Sequence, residues 1–260
     1  MVHEFTGLTI DNAADAVMLA PCHRTARAAA VASVFLRVTA LAITVFAAAS
    51  CGADPKSGTN RFEPDILAFE AADHKNPPPE GAILFVGDSL FTRWRSMQTD
   101  LPDHIVINRG FGGSQMSDLL YYADRIVLPY KPRLIVVSEG DNDIHRGVTS
   151  DAVLAGMKTF VEKIHAALPK SRIAIGGLTP SPARWSEADA EQHVNRMIRD
   201  YVATQTNVVF IDLFDAYLGH DGKPRGELFV EDGLHHTVAG YQIRIEALRV
   251  ILREADQKPK

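Results

Sequence analysis

Five short apolar runs alternate with amphipathic stretches along most of this chain, and this alternation constrains the fold more than any other feature. The runs occupy residues 82–87, 105–108, 133–140, 172–178 and 208–213. They are apolar almost throughout and rich in β-branched residues, which is typical of parallel strands covered on both faces. Strands that alternate with helices predict a sandwich with right-handed crossovers. We therefore expect an α/β fold, a three-layer α/β/α sandwich around a mainly parallel five-stranded sheet.

The amphipathic stretches predict the helices that cover this sheet. One of them starts at Ser150, which we expect to be its N-cap, and ends at Leu168 immediately before Pro169. A further stretch, residues 61–73, predicts a short helix that packs on the domain.

The composition limits the possible function. The 260 residues are 46% apolar and 23% charged, which is ordinary for a globular protein with a substantial core. The formal net charge is -5 and no basic stripe or arm is present, so a nucleic-acid partner is not expected. The two cysteines, Cys22 and Cys51, both lie in the N-terminal part of the chain. A disulfide framework and a cysteine-based metal site are therefore excluded for the region after Cys51.

Residues 22–51 have the pattern of a secretory signal. Arg24 and Arg27 precede an apolar run, and small residues end that run just before Cys51. A cysteine after such a site resembles a bacterial lipoprotein signal, in which Cys51 would be lipidated. An uncleaved membrane anchor, an ordinary signal cut nearby and a buried helix of the domain are the alternatives. We expect an exported protein, periplasmic or at the cell surface, that is tethered to the membrane only through its N-terminal region.

These features divide the chain into three parts. Residues 1–51 are the targeting segment. Residues 52–80 are a tether and the segment that leads into the domain, and they include the stiff, extended Pro77–Pro79. Residues 81–256 form the main domain, which contains no internal repeat and no low-complexity block.

Polar and glycine-rich segments follow three of the predicted strands and precede the last helix. They are residues 87–89, 108–115, 140–143 and 231–237. Each segment alone is an ordinary turn or loop, because glycine, aspartate, asparagine and serine are the usual residues of turns. In open parallel sheets, however, ligand sites form at the carboxyl ends of the strands. The four segments together therefore indicate a functional site.

The side chains in these segments suit nucleophilic catalysis. A serine hydroxyl needs a base to take its proton, and histidine titrates in the right range for that work. We predict Ser89 as the nucleophile, His235 as the base and Asp232 as the carboxylate that orients the imidazole. A tetrahedral oxyanion also needs hydrogen-bond donors. The backbone N–H groups of Ser89 and Gly113 and the side-chain amide of Asn142 are the predicted donors.

The four segments together resemble the motifs of the GDSL, or SGNH, hydrolase family. The letters GDSL stand at residues 87–90, the family's glycine corresponds to Gly113, its G-x-N-D block to residues 140–143 and its D-x-x-H block to residues 232–235. The resemblance covers residues 82–252. It implies a flavodoxin-like sandwich and the hydrolysis of esters or thioesters through an acyl-serine intermediate, with no metal and no cofactor.

Some neighbouring residues have more than one interpretation. The D-x-x-H spacing selects His235 as the base, and His236 is then a surface or packing group. Arg109, Phe111 and Trp185 lie in or beside loops that follow the second and fourth strands. They are candidates for the mouth of the substrate cleft, and ordinary packing is the alternative.

Two functions are compatible with this pattern. The first is an exported serine esterase that acts on a small-molecule, lipid or carbohydrate ester. Lipid or thioester acyl groups and acetyl groups on carbohydrate both stay open as substrates. The second is a non-catalytic, surface-tethered binding module on the same scaffold, against which the complete set of four motifs argues. The sequence indicates no particular oligomeric state.

Overall fold

The structure is a computed structural model that describes residues 60–256. The predictions for the targeting segment and for lipidation of Cys51 lie outside the described residues, as do residues 52–59 of the predicted tether.

All five predicted strands are present, and they form one sheet. The strands are β1 Ile83–Gly87, β2 Val106–Gly110, β3 Leu134–Ser138, β4 Arg172–Gly176 and β5 Val208–Ile211. Their order is β2-β1-β3-β4-β5, and every neighbouring pair is parallel. Gly87, the last residue of β1, pairs with Gly110 on one side and Ser138 on the other. The carboxyl ends of β2, β1 and β3 therefore lie level with one another, where the polar segments begin.

Helices cover both faces of the sheet, which confirms the three-layer sandwich. In chain order they are α1 Glu63–Lys75, α2 Ser89–Thr92, α3 Met97–Asp100, α4 Met116–Ile126, α5 Asp141–His145, α6 Ser150–Ala167, α7 Ala188–Val202 and α8 Val238–Asp256. Helices α1, α4, α6 and α7 contribute to an apolar core on one face, and α2, α3 and α8 contribute to a second core on the other. The predicted short helix before β1 is thus present as α1. Among residues 60–256, no helix has both the length and the hydrophobicity that crossing a membrane requires.

The central strands show why the sequence runs are apolar throughout. All five residues of β1 are buried. Leu84 and Val86 belong to one core, whereas Ile83 and Phe85 belong to the other. Alternate side chains of a strand point to opposite faces, so a strand covered on both sides needs apolar residues at every position. Each such side chain stabilises the fold by about 1.5–3 kcal/mol when it is fully buried.

The predicted N-cap of the helix at Ser150 is off by one residue. The N-cap is Thr149, which has an extended backbone and whose side chain accepts a hydrogen bond from the N–H of Ala152 at 3.3 Å. Ser150 already belongs to the first helical turn. An N-cap must stand just outside the helix to reach the free N–H groups of the first turn, and Thr149 occupies that position.

Candidate active site

Ser89 stands at the junction between β1 and α2, where the chain makes a sharp turn. Gly87 has a φ of +145°, and a Cβ atom there would lie 1.9 Å from the carbonyl oxygen of Ser138. Only glycine fits this position. Asp88 follows as the N-cap of α2, and its Oδ1 accepts the N–H of Leu90 at 2.8 Å. The Gly-Asp pair thus brings Ser89 to the first position of a helix at the carboxyl edge of the sheet.

The structure brings together the three residues predicted as nucleophile, base and orienting carboxylate. The Oγ atom of Ser89 lies 2.9 Å from Nε2 of His235, although 146 positions separate the two residues. On the other side of the ring, Nδ1 of His235 lies 2.7 Å from Oδ2 of Asp232. These two distances are those of hydrogen bonds, so a continuous hydroxyl–imidazole–carboxylate chain exists.

Asp232 is held in place by its own loop. Its Oδ1 accepts the backbone N–H groups of Leu234 and His235, each at 2.9 Å. Burial raises the pKa of Asp232, but the hydrogen bonds from the backbone and ring of His235 outweigh that effect and hold the pKa below its ordinary value. Arg93 approaches Oδ2 to 3.4 Å, and because both side chains are partly exposed this ion pair contributes little. The carboxylate is therefore ionised at neutral pH and directed at the imidazole.

Gly113, one of the predicted oxyanion donors, belongs to the glycine-rich loop that follows β2. A Cβ atom on Gly112 would lie 3.6 Å from the Cβ of Ser89, so the glycine-rich loop runs directly beside the nucleophile. Gly113 has a φ of +86° and open space where a side chain would be. Asn142 contacts the same loop, because its Nδ2 donates to the carbonyl oxygen of Ser114 at 3.0 Å. Within the described residues, the N–H groups of Ser89 and Gly113 donate to no other backbone group, which leaves them available for a ligand.

Further contacts join the glycine-rich loop to the segment that holds Asn142. The carboxylate of Asp143 accepts the N–H of Met116, the first residue of α4, at 3.0 Å. Burial raises the pKa of Asp143 to about 6. The hydroxyl of Ser114 donates to the buried carboxyl group of Glu139 at 2.7 Å. The segments that follow β2 and β3, the two strands that flank β1, are therefore joined by hydrogen bonds.

Several buried charged groups lie near the site, and three of them, Glu139, Arg184 and Glu191, belong to none of the four motifs. Burial raises the pKa of Asp88 to about 7. It also raises the pKa of Glu139 well above its ordinary value. Arg184, in a 3-10 helix between β4 and α7, donates through Nη2 to Oδ1 of Asn142 at 3.0 Å. Its partner Asp141 and the buried Glu191 of α7 complete this group.

His236 takes no part in the hydrogen-bond chain. It is buried and stacks on Tyr217 with a distance of 4.7 Å between the ring centroids. Burial, followed by the charge of Arg244, lowers its pKa well below the ordinary value. The neutral ring therefore packs in the interior, as the interpretation of the D-x-x-H spacing requires.

Two of the three candidates for the cleft mouth lie elsewhere. Phe111 is only 1% exposed and packs edge-on against Phe62, with 5.1 Å between the ring centroids. Arg109 donates to the hydroxyl of Tyr130 at 2.7 Å and forms an ion pair with Asp73 of α1. The prediction is wrong for both residues, because the segment before β1 folds back over β2 and covers them.

Trp185 is the candidate that stays accessible. It is 38% exposed and belongs to the 3-10 helix Pro182–Glu187. This helix lies beside the histidine loop, since the N–H of Ala183 donates to the carbonyl oxygen of Gly233 at 3.0 Å. A role for Trp185 in the cleft stays a prediction.

Among residues 60–256, no group of three or more histidine, cysteine, aspartate and glutamate side chains could hold a metal ion.

A parallel α/β/α sandwich with serine, histidine and aspartate hydrogen-bonded in series at the strand ends has the architecture of a serine hydrolase. A family model described as the GDSL-like Lipase/Acylhydrolase family matches residues 83–243, and the chain belongs to this family. Membership makes the chain a hydrolase that acts on esters.

Known relatives agree with this assignment. The alpha1 subunits of platelet-activating factor acetylhydrolase IB from Bos taurus and Homo sapiens are 27% identical over 194 residues, which cover 70% of this chain and 78% of theirs. A GDSL-like lipase from Bacteroides thetaiotaomicron has a similar structure, with a TM-score of 0.63, 20% identity and coverage of 74% of this chain and 98% of that one. A catalytic mutant of an acetylxylan esterase from Geobacillus stearothermophilus has a TM-score of 0.56, 20% identity and coverage of 69% and 96%.

Proposed function

We propose that this protein is a serine esterase that cleaves carboxylic esters through an acyl intermediate on Ser89. The observation that carries the proposal is the hydrogen-bond chain from Ser89 Oγ through His235 to Asp232. The ionised Asp232 keeps the ring proton of His235 on Nδ1. Nε2 is then a free acceptor aimed at the serine hydroxyl, which is the state that a general base requires.

The reaction follows from this geometry in two halves. Ser89 Oγ attacks the ester carbonyl carbon while its proton moves to Nε2 of His235. The carbonyl oxygen becomes an oxyanion, which the N–H groups of Ser89 and Gly113 and the amide of Asn142 would stabilise. Each such donor contributes about 3–4 kcal/mol to the transition state. The intermediate collapses as His235 returns the proton to the leaving alcohol, which leaves the acyl group on Ser89.

Water then completes the cycle. His235 takes a proton from a water molecule while the water oxygen attacks the acyl carbon. A second oxyanion forms in the same place. The bond to Ser89 Oγ then breaks, and Oγ takes the proton back from His235. The net result is one ester and one water converted into one acid and one alcohol. No metal or cofactor enters either half of this mechanism.

We propose an acetyl or similarly short acyl group as the preferred substrate. Two of the similar proteins are described as an acetylhydrolase and an acetylxylan esterase, which supports this choice. In that esterase the catalytic mutants replace a serine, an aspartate and a histidine three positions after the aspartate. The same spacing separates Asp232 from His235. Esters of p-nitrophenol with acyl chains of increasing length test the preference directly, and faster turnover of a long chain would contradict it.

The test of the catalytic role is Ser89→Ala in the purified protein. We expect no detectable turnover of p-nitrophenyl acetate with an unchanged circular dichroism spectrum, because alanine removes only the attacking atom. Ser117→Ala is the matched control, since Ser117 is exposed on α4. A fluorophosphonate label found on Ser89 by mass spectrometry supports the assignment. Turnover in Ser89→Ala that equals the wild type would refute it and would favour the non-catalytic binding module.

We also propose that the protein is exported and tethered to a membrane through its N-terminal region. The signal-like pattern of residues 22–51 supports this proposal. Cys51→Ser should release the protein from the membrane fraction if Cys51 is lipidated. Unchanged retention would favour an uncleaved anchor.

A further inference from the structure

The side-chain amide of Asn142 donates one hydrogen bond through its nitrogen and accepts another through its oxygen. Its Nδ2 donates to the carbonyl oxygen of Ser114 at 3.0 Å, and its Oδ1 accepts from Nη2 of Arg184 at 3.0 Å. A carbonyl oxygen can only accept a hydrogen bond and a guanidinium can only donate one. A flipped amide would place oxygen against oxygen and nitrogen against nitrogen. Arg184 and Ser114 therefore permit one orientation of the amide.

This orientation serves the proposed chemistry. One Nδ2 hydrogen points to Ser114, and the second has no acceptor among residues 60–256, so it is available to an oxyanion. If the amide flipped, a lone pair of Oδ1 would take the place of that hydrogen and repel the oxyanion. A hydrogen bond from a charged donor is also stronger than a neutral one, so the guanidinium holds the amide more firmly than a neutral group could.

Arg184 is itself held in place by an ion pair. It is 8% exposed, and its Nη1 donates to the carboxylate of Asp141, the residue before Asn142. One guanidinium thus bridges two consecutive residues of the chain through its two Nη atoms. Such a bridge uses the planar, forked geometry of arginine, which lysine lacks.

Glu191 of α7 is a further buried acidic group near Asp141. Its side chain is 0% exposed, and neither carboxyl oxygen has a hydrogen-bond donor among the described residues. Burial, followed by the charge of Asp141, raises the pKa of Glu191 well above its ordinary value. The neutral form of Glu191 is therefore favoured near the ion pair of Arg184 and Asp141.

We propose that Arg184 is a positioning residue that acts through Asn142, holding the side-chain amide with Nδ2 turned toward the oxyanion, and that Asp141 keeps Arg184 in place. This inference rests on the proposed function, because it assigns the support of one predicted oxyanion donor. Arg184 lies 42 positions from Asn142 and belongs to none of the four motifs.

The experiment is a double-mutant cycle between Arg184→Lys and Asn142→Ala, read out as kcat and KM for p-nitrophenyl acetate. Lysine keeps a cation for Asp141 but cannot bond to both partners at once. We expect Arg184→Lys to lower kcat by about tenfold in the wild-type background, less than the roughly 100-fold to 1000-fold loss when an oxyanion donor is removed. KM should change by less than about twofold, because the interaction matters in the transition state.

In the Asn142→Ala background the same Arg184→Lys change should lower kcat by less than about twofold, since no amide is left to orient. Arg196→Lys is the matched control, because Arg196 is exposed on α7 and, among the described residues, hydrogen-bonds to Gln192. Melting temperatures show whether each variant folds. If Arg184→Lys does not fold, Arg184→Met replaces it, because methionine keeps a long side chain but cannot donate to Oδ1 of Asn142.

The outcomes separate this inference from the proposed function. An equal loss of kcat in both backgrounds means that Arg184 does not act through Asn142, and an unchanged kcat in the wild-type background means that Arg184 has no such role. Either result overturns the inference while Ser89→Ala stays inactive. Activity that survives in Ser89→Ala would instead overturn the proposed function, and the inference with it.

Discussion

Replacement of Asp232 by asparagine tests whether the carboxylate sets the protonation of His235. The structure determines how the new amide must lie. Oδ1 accepts two backbone N–H groups, so the amide oxygen has to occupy that place. The NH2 group then takes the place of Oδ2, against Nδ1 of His235. Two donors cannot face each other, so His235 must carry its proton on Nε2 instead.

A proton on Nε2 blocks the proposed base. Nε2 lies 2.9 Å from Ser89 Oγ and could no longer accept the serine proton. In a serine protease, the same substitution lowers kcat by about 10⁴ for this reason. A loss of that size corresponds to about 5 kcal/mol of transition-state stabilisation. The fold should be retained, because both backbone hydrogen bonds to the amide oxygen persist.

The assay is kcat/KM for p-nitrophenyl acetate at neutral pH, together with the melting temperature. Asp221→Asn is a matched control, because Asp221 is another exposed aspartate that accepts a backbone N–H within its own turn. The control should keep wild-type activity. If Asp232→Asn retained more than about a tenth of wild-type kcat/KM, the carboxylate would not control the tautomer, and the mechanism would need another base.

Two further predictions concern residues around the site. Phe111→Ala should lower the free energy of unfolding by about 3–5 kcal/mol in urea denaturation, because it leaves a cavity in the core. KM should stay unchanged. A raised KM with normal stability would instead indicate that Phe111 lines the substrate cleft. Protonated Asp143 stabilises the fold, since its pKa is raised to about 6 in the folded state, and this contribution is lost as the pH rises from about 4 to 6. Asp143→Asn should remove that part of the pH dependence, at most about 3 kcal/mol, and a denaturation profile identical to the wild type would contradict the assignment.

Local features of the sequence predicted much of the fold and the central residues of the site. Every residue of β1 is buried, so the strand appears in the sequence as an unbroken apolar run. Asp232 and His235 belong to one tight turn whose hydrogen bonds close over three residues, so their spacing alone indicates the pair. Signals of this kind survive in a linear sequence because the interacting groups are neighbours along the chain.

Only the tertiary structure decided which side chains lie inside and which distant groups meet. Phe111 and Arg109 looked like residues of an open loop, but α1 folds over β2 and covers them. Arg184 reaches both Asn142 and Asp141 from a separate helix of the sandwich. Burial and charge pairing depend on which segments pack against each other. A local sequence pattern does not show which distant segments pack together, so these contacts could be identified only in the folded structure.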